Sequence, residues 1–174
     1  MAVYPHQPQT RRNRPKIEPQ SLRWSLGRLG PQSGVIATTI SARLWVCGPW
    51  ICPATAIATT ISADPGPNTG RLILLGLYQS VAATPAGAIL VAQTTTTTSG
   101  EPQTLQFAAN TVHGSTYWLA LVNTGGTYPG LPAVPAPGLS VWFVVSATLP
   151  QVLPAVAVQN QNTALALQIA LNLA

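Results

Sequence analysis

The chain has 174 residues, of which 47% are hydrophobic and only 6% charged, and its formal net charge is +5. Charged residues make up about 25% of an ordinary soluble domain, so this surface relies on uncharged polar groups or on partners; the apolar fraction excludes a disordered chain. The length suits one domain with one core, no run of ~18 apolar residues is long enough to span a bilayer as a helix, and the first residues lack the apolar stretch of a secretion signal.

Residues 1–33 read as a basic, proline-rich arm. Arg11, Arg12, Arg14, Lys16, Arg23 and Arg28 stand there against Glu18 alone, which accounts for the whole net charge. Pro5, Pro8, Pro15, Pro19 and Pro31 disfavour a continuous helix. Trp24, with Leu22, Leu26 and Leu29, would anchor the arm on a neighbour. The rest of the chain holds only Arg43, Asp64, Arg71 and Glu101, which sum to zero. A neutral body has little electrostatic protection against association, and that points to an assembly.

Residues 34–148 read as an all-β body. Val35 to Ala42 and Thr55 to Ala63 are rich in Thr and Ile, and in the second Ile57, Thr59 and Ile61 share a face by period two. Arg71 to Tyr78 is almost continuously apolar, as a strand buried on both faces requires. Ala88 to Thr98, Gln103 to Ala108, Thr116 to Val122 and Leu139 to Ser146 complete the strands. Asp64-Pro65-Gly66-Pro67-Asn68, Pro85-Ala86-Gly87, Ser99-Gly100, His113-Gly114 and Gly125-Gly126 supply the turns. Short strands with this punctuation predict a β-sandwich or jelly roll. The run Thr94 to Thr98 is a strand rather than a linker, because β-branched residues suit the pleat.

Residues 149–174 form a C-terminal extension. Leu165, Leu167, Ile169, Leu171 and Leu173 alternate with Ala164, Ala166, Gln168, Ala170 and Asn172. Period two outweighs the helix preference of Ala and Leu, so a strand is expected. Its aliphatic face would either close the domain's own sheet or join a second subunit as an oligomer strand. The segment Ile-Ala-Thr-Thr-Ile-Ser-Ala occurs at 36–42 and 57–63 without extending further, so it marks two similar strands and no repeat architecture.

Residues suited to chemistry are few. Cys47 and Cys52 have four residues between them, which is not the spacing of a redox dithiol. They are either a local disulfide or, as expected in a reducing cytoplasm, two buried thiols. With only His6 and His113 as histidines, no metal site and no cofactor are expected. A hydrolytic triad or a carboxylate pair would have to be drawn from His113, Asp64 and Glu101, all in turns, and no enzyme is expected. Trp45, Trp118 and Trp142 lie in apolar runs and read as core. Trp50 and Tyr128, in turns, are the candidates for exposed ligand contact, such as a host surface glycan.

The stretch from Arg43 to Gly126 resembles a jelly-roll module of tailed-bacteriophage virion proteins, found in head decoration, head-fibre and tail-fibre proteins. The residues that carry it are Pro49-Trp50, Thr55-Ala56-Ile57, Arg71-Leu72-Ile73-Leu74-Leu75-Gly76-Leu77-Tyr78, Pro85-Ala86-Gly87-Ala88-Ile89-Leu90 and Tyr117-Trp118-Leu119-Ala120-Leu121-Val122. The resemblance spans about half of the chain and brings no catalytic residues. It implies a virion structural protein assembled in the host cytoplasm, foremost a capsid decoration or cement protein. The arm residues Arg11, Arg12, Arg14, Lys16, Arg23, Trp24 and Arg28 would then hold the major capsid protein or other virion proteins, and the chain would be a homo-oligomer, expected to be a trimer. A fibre tip that binds a receptor or glycan is the alternative. The third reading is the major coat protein of a small icosahedral virus, its arm facing the genome. Six cationic residues are few for packaging nucleic acid, so an acidic protein surface is the expected partner of the arm, with no membrane involved.

Overall fold

The computed structural model describes residues 24–28, 34–36, 43–65, 69–82, 84–123, 131–145 and 160–174. Among the described residues every regular element is a strand: β1 (Trp24–Arg28), β2 (Gly34–Ile36), β3 (Arg43–Ile51), β4 (Ala56–Ala63), β5 (Thr69–Ser80), β6 (Ile89–Ser99), β7 (Gln103–Thr111), β8 (Thr116–Asn123), β9 (Leu131–Val145), β10 (Asn160–Leu167) and β11 (Ile169–Leu173). All pairings are antiparallel. The small sheet runs β1-β11-β4-β7, and the large one runs β10-β9-β3-β8-β5-β6 with β2 also paired to β9. The fold is all-β, two antiparallel sheets packed as in a β-sandwich.

The inner core lies between the sheets. Trp45, Leu75, Leu77, Leu119 and Leu121 of the large sheet meet Ile61, Phe107, Ile169, Leu171 and Leu173 of the small one. The large sheet is apolar on its other face too. Leu44, Val46, Leu74, Tyr78, Trp118, Ala120 and Val122 form a second buried cluster there, with Leu90 and Trp142 packed against it. The continuous apolar run in β5 therefore divides by alternation between two buried faces, Ile73, Leu75 and Leu77 inward and Leu74 and Tyr78 outward.

Several boundaries differ from the sequence expectations. β1 falls inside the stretch read as an arm and pairs with β11, from Trp24↔Leu173 to Arg28↔Ile169. Gly27 makes this approach possible: its φ is 95°, and a Cβ there would strike the Ile169 carbonyl oxygen and lie 2.7 Å from Leu119 Cδ1. β3 is central to the large sheet, although Cys47-Gly48-Pro49-Trp50 reads as a turn. The strand carries that sequence as a register shift between Cys47 and Trp50. β9 begins at Leu131, eight residues before the expected strand, and includes Pro132, Pro135 and Pro137. The expected strand Val35 to Ala42 is described only as β2, and Gly125-Gly126 lies outside the described residues.

The C-terminal alternation is two strands rather than one. The chain breaks at Gln168, with β10 in the large sheet and β11 in the small one. Leu167, Ile169, Leu171 and Leu173 all reach the inner core across this corner. A period-two pattern continues through such a crossing because the core lies on the same side of the chain throughout.

Candidate interaction site

The site expected from sequence is the basic arm, of which the structure describes only Trp24 to Arg28. Arg11, Arg12, Arg14, Lys16 and Arg23 lie outside the described residues, whereas Trp24 and Arg28 are the first and last residues of β1. In the small sheet β1 is an edge strand, with β11 on its one paired side. The register Trp24↔Leu173 and Leu173↔Ala58 puts the entry into β1 beside the start of β4. Trp24 thus stands at the end of the sandwich where the β3–β4, β5–β6 and β7–β8 turns lie.

The oligomer strand residues have a different setting. β11 is hydrogen-bonded to β1 on one side and to β4 on the other, so both of its edges are taken within this chain. Ala174 continues the ladder: its N–H donates to the Ile57 carbonyl at 3.0 Å, and its carbonyl accepts from the Ile57 N–H at 3.3 Å. Leu165 sits in β10 opposite Pro135.

Cys47 and Cys52 are both free thiols and both buried, so the local disulfide weighed from the sequence is not formed. Cys47 lies in the inner core, and burial pushes its thiol from 9.0 up to about 12, against smaller opposing effects of the Leu167 backbone and the Trp50 side chain. Cys52 Sγ donates to the Ala54 carbonyl at 3.1 Å. A thiol so strongly held in its neutral form is packing, not a nucleophile. Trp50 leans on the inner core and is half-buried, which leaves only part of its ring for outside contact. Tyr128 lies outside the described residues.

The remaining His, Asp and Glu side chains among the described residues lie outside the strands. His113 is exposed in the β7–β8 turn, Asp64 follows β4, and Glu101 is exposed between β6 and β7. Among the described residues no three of His, Cys, Asp and Glu come together as metal ligands. No helix among them is long and apolar enough to cross a membrane.

One structural feature that sequence reading missed is the lacing of two turns. The Cys52 N–H donates to the Ser115 carbonyl and the Gly114 N–H to the Cys52 carbonyl, both at 2.9 Å. The His113 N–H donates to Thr55 Oγ1 and the Val112 N–H to the buried Tyr117 hydroxyl oxygen, both at 3.0 Å. The first three of these bonds join segments about 60 residues apart in the chain, and no local pattern announces them, whereas the Val112–Tyr117 bond is local to the β7–β8 turn.

No family model, no curated protein and no solved structure matches this chain.

Proposed function

We propose that this chain is a structural protein of a virus particle, with a jelly-roll body and a basic N-terminal segment that contacts the interior of the particle or its other subunits. The observation that carries the reading is the pairing order. Setting aside β2, β9 and β10, eight strands remain, and the first pairs with the last (β1 with β11), the second with the seventh (β3 with β8), the third with the sixth (β4 with β7) and the fourth with the fifth (β5 with β6). That nesting is what a single antiparallel ribbon gives when it is wound around a barrel, the jelly roll that recurs in viral capsids and also in lectins and cupins. Because one fold hosts many functions, the virion reading draws also on the charge distribution. A body neutral from Arg43 onward favours close packing of copies, and six cations before β3 offer a local counter-charge to phosphate or carboxylate.

Of the placements in a particle, a shell subunit fits these features best. The cationic residues stand at one end of the chain, where they can reach the packaged nucleic acid while the neutral bodies tile. A decoration or cement protein is the second reading. It is favoured by the scarcity of cations and by the resemblance to tailed-phage modules, and its arm would lie on acidic capsid subunits.

Expression of the full chain and of a form lacking residues 1–23, followed by gradient sedimentation and electron microscopy, tests the proposal. The shell reading expects closed particles from the full chain that hold salt-sensitive, nuclease-protected nucleic acid, with protection lost on truncation. A full chain that stays small and binds preformed capsids through residues 1–23 selects the decoration reading. A chain that neither assembles nor binds capsids would overturn both.

A further inference from the structure

From Arg43 onward the chain has four charged residues, two of each sign: Arg43, Asp64, Arg71 and Glu101. The strand register sets all four at one end of the sandwich. Arg43↔Asn123 and Ile73↔Asn123 bring the start of β3 level with the early part of β5, where Arg71 stands. The β6–β7 turn joins the two sheets here, since Ser99 pairs with Thr69 of β5 and Gln103 with Ala63 of β4. Asp64 follows Ala63 directly, and Glu101 lies between Ser99 and Gln103. Arg28 belongs to the same end, because Arg28↔Ile169 and Ile169↔Ala63 set the last residue of β1 level with the end of β4.

The two signs are sorted. Asp64 and Glu101 adjoin β4 and β7, which are neighbours in the small sheet. Arg28 is on β1 at that sheet's other edge, and Arg43 and Arg71 are on β3 and β5 of the large sheet. This end therefore has an acidic corner with arginine positions on its other sides. Turns as such do not explain the gathering. The β3–β4, β5–β6 and β7–β8 turns at the opposite end contain no Asp, Glu, Lys or Arg.

The acidic corner is held in place by the fold. The Asp64 N–H donates to the Gln168 carbonyl at 2.9 Å. Beyond Glu101, Gln103 Nε2 donates to the Thr97 carbonyl and to Ser99 Oγ, both at 3.0 Å, which ties the two sides of the turn together. Glu101 itself is exposed. Backbone positions fixed in advance lower the ordering cost of association.

We propose that this end of the sandwich is a contact between copies of this chain, in which the Asp64 and Glu101 corner of one copy faces the arginines of another. The occupant follows from charge complementarity. Nucleic acid or an acidic protein surface would bring negative charge onto Asp64 and Glu101, and a basic surface would bring positive charge onto Arg28, Arg43 and Arg71. Either leaves like charges opposed. A second copy, turned about a two-fold axis, offers both signs and can set each patch against its opposite. Charges of this kind govern orientation and choice of partner more than the bulk of the affinity. The inference stands apart from the virion reading, because two isolated copies either make this contact or do not, whatever the role of the protein.

The test is charge exchange, read by sedimentation velocity of the full chain at about 0.1 M salt, where the Debye length is ~10 Å. Wild type should self-associate there and weaken at about 1 M salt, where that length is ~3 Å. R43E/R71E and D64K/E101K should each associate at least about tenfold more weakly in Kd, because like charges then oppose one another across the contact. An equimolar mixture of the two should return to within about threefold of wild type. Circular dichroism checks that each variant is folded; if D64K/E101K is not, E101K and R71E enter the same mixing experiment. A wild type that is monomeric at low salt would overturn the proposal, as would association that salt does not weaken. So would variants that associate like wild type, or a mixture no better than its parts. Tighter association of R43E/R71E would also overturn it, since that is the result expected if the basic segment of one copy bound the carboxylates of the next.

Discussion

The two sheets solve the same problem differently. In β7 of the small sheet, Thr104, Gln106, Ala108 and Asn110 face outward and are exposed, while Phe107, Ala109 and Thr111 between them are buried. The large sheet has no such division in β3, β5 and β8: Trp45 and Leu119 on one face and Val46 and Trp118 on the other are all at most 1% exposed. The difference teaches what an apolar sequence means in a strand. Alternation marks a sheet with one wet face, and a continuous apolar run marks one whose two faces are both covered.

The strongest way to break this comparison is to empty each face of the large sheet in turn. Trp45→Ala opens the inner core and should cost about 3–5 kcal/mol in urea unfolding. Trp118→Ala should cost a similar amount, although its indole N–H is buried without a hydrogen-bond partner and contributes only packing. A Trp118→Ala cost under about 1 kcal/mol would show the outer cluster to be a surface, not a core.

Leu171→Ala addresses the small sheet at its central strand. The side chain is fully buried between β1 and β4, and its loss should cost about 2–5 kcal/mol. An unchanged denaturation midpoint would mean that β11 is not held in this sheet.

Cys47 sharpens the account through pH. Its folded thiol, near 12, lies above its unfolded value of 9.0, so the folded state holds the proton more tightly. The resulting stability is complete below about pH 9 and falls as pH rises toward 12, because the unfolded thiol ionises first. The slope should approach about 1.4 kcal/mol per pH unit in that window. Cys47→Ala should reduce it, leaving the part above about pH 10 that comes from the Tyr78 hydroxyl, which burial also raises, and an identical alkaline slope in wild type and variant would contradict the assigned burial.

The smallest effects belong to exposed and edge positions. Thr95→Ala removes the bond from its hydroxyl to the Ile73 carbonyl, 3.0 Å long, on edge strand β6 and should cost about 0.5–1.5 kcal/mol. Ile57→Thr, on the wet face of the small sheet, should stay within about 0.5 kcal/mol of wild type. Larger losses at Ile57 would mean that its face is covered even in the isolated subunit.

What could be read from sequence follows from the same physics. β4 to β8 were legible because Gly and Pro turns bracket them and their apolar patterns are strong. β3 was hidden by Gly48-Pro49, since a bulge inside a strand and a turn between strands use the same residues. Gly48 is there because a Cβ would come within 2.7 Å of the Trp118 ring, a long-range contact that local pattern does not encode. β1 was hidden by the prolines around it, and the first half of β9, which holds Pro132, Pro135 and Pro137 and pairs with β2 and β10, has no alternating apolar pattern to mark it. The aliphatic alternation from Leu165 to Leu173 gave away the buried face, yet not the change of sheet at Gln168. For the candidate site, the charge segregation before residue 29 was plain in the sequence. The gathering of exposed Ile51, Ile57, Val81, Ile89 and Val112 toward one end of the body was not, because only the register brings them together.

The most direct test of the virion reading is electron cryo-microscopy of the native particle, with this chain located by a bound antibody. The account predicts a regular lattice of bodies built from this chain. Antibody confined to a fibre or tail tip, or absent from the particle altogether, would contradict it.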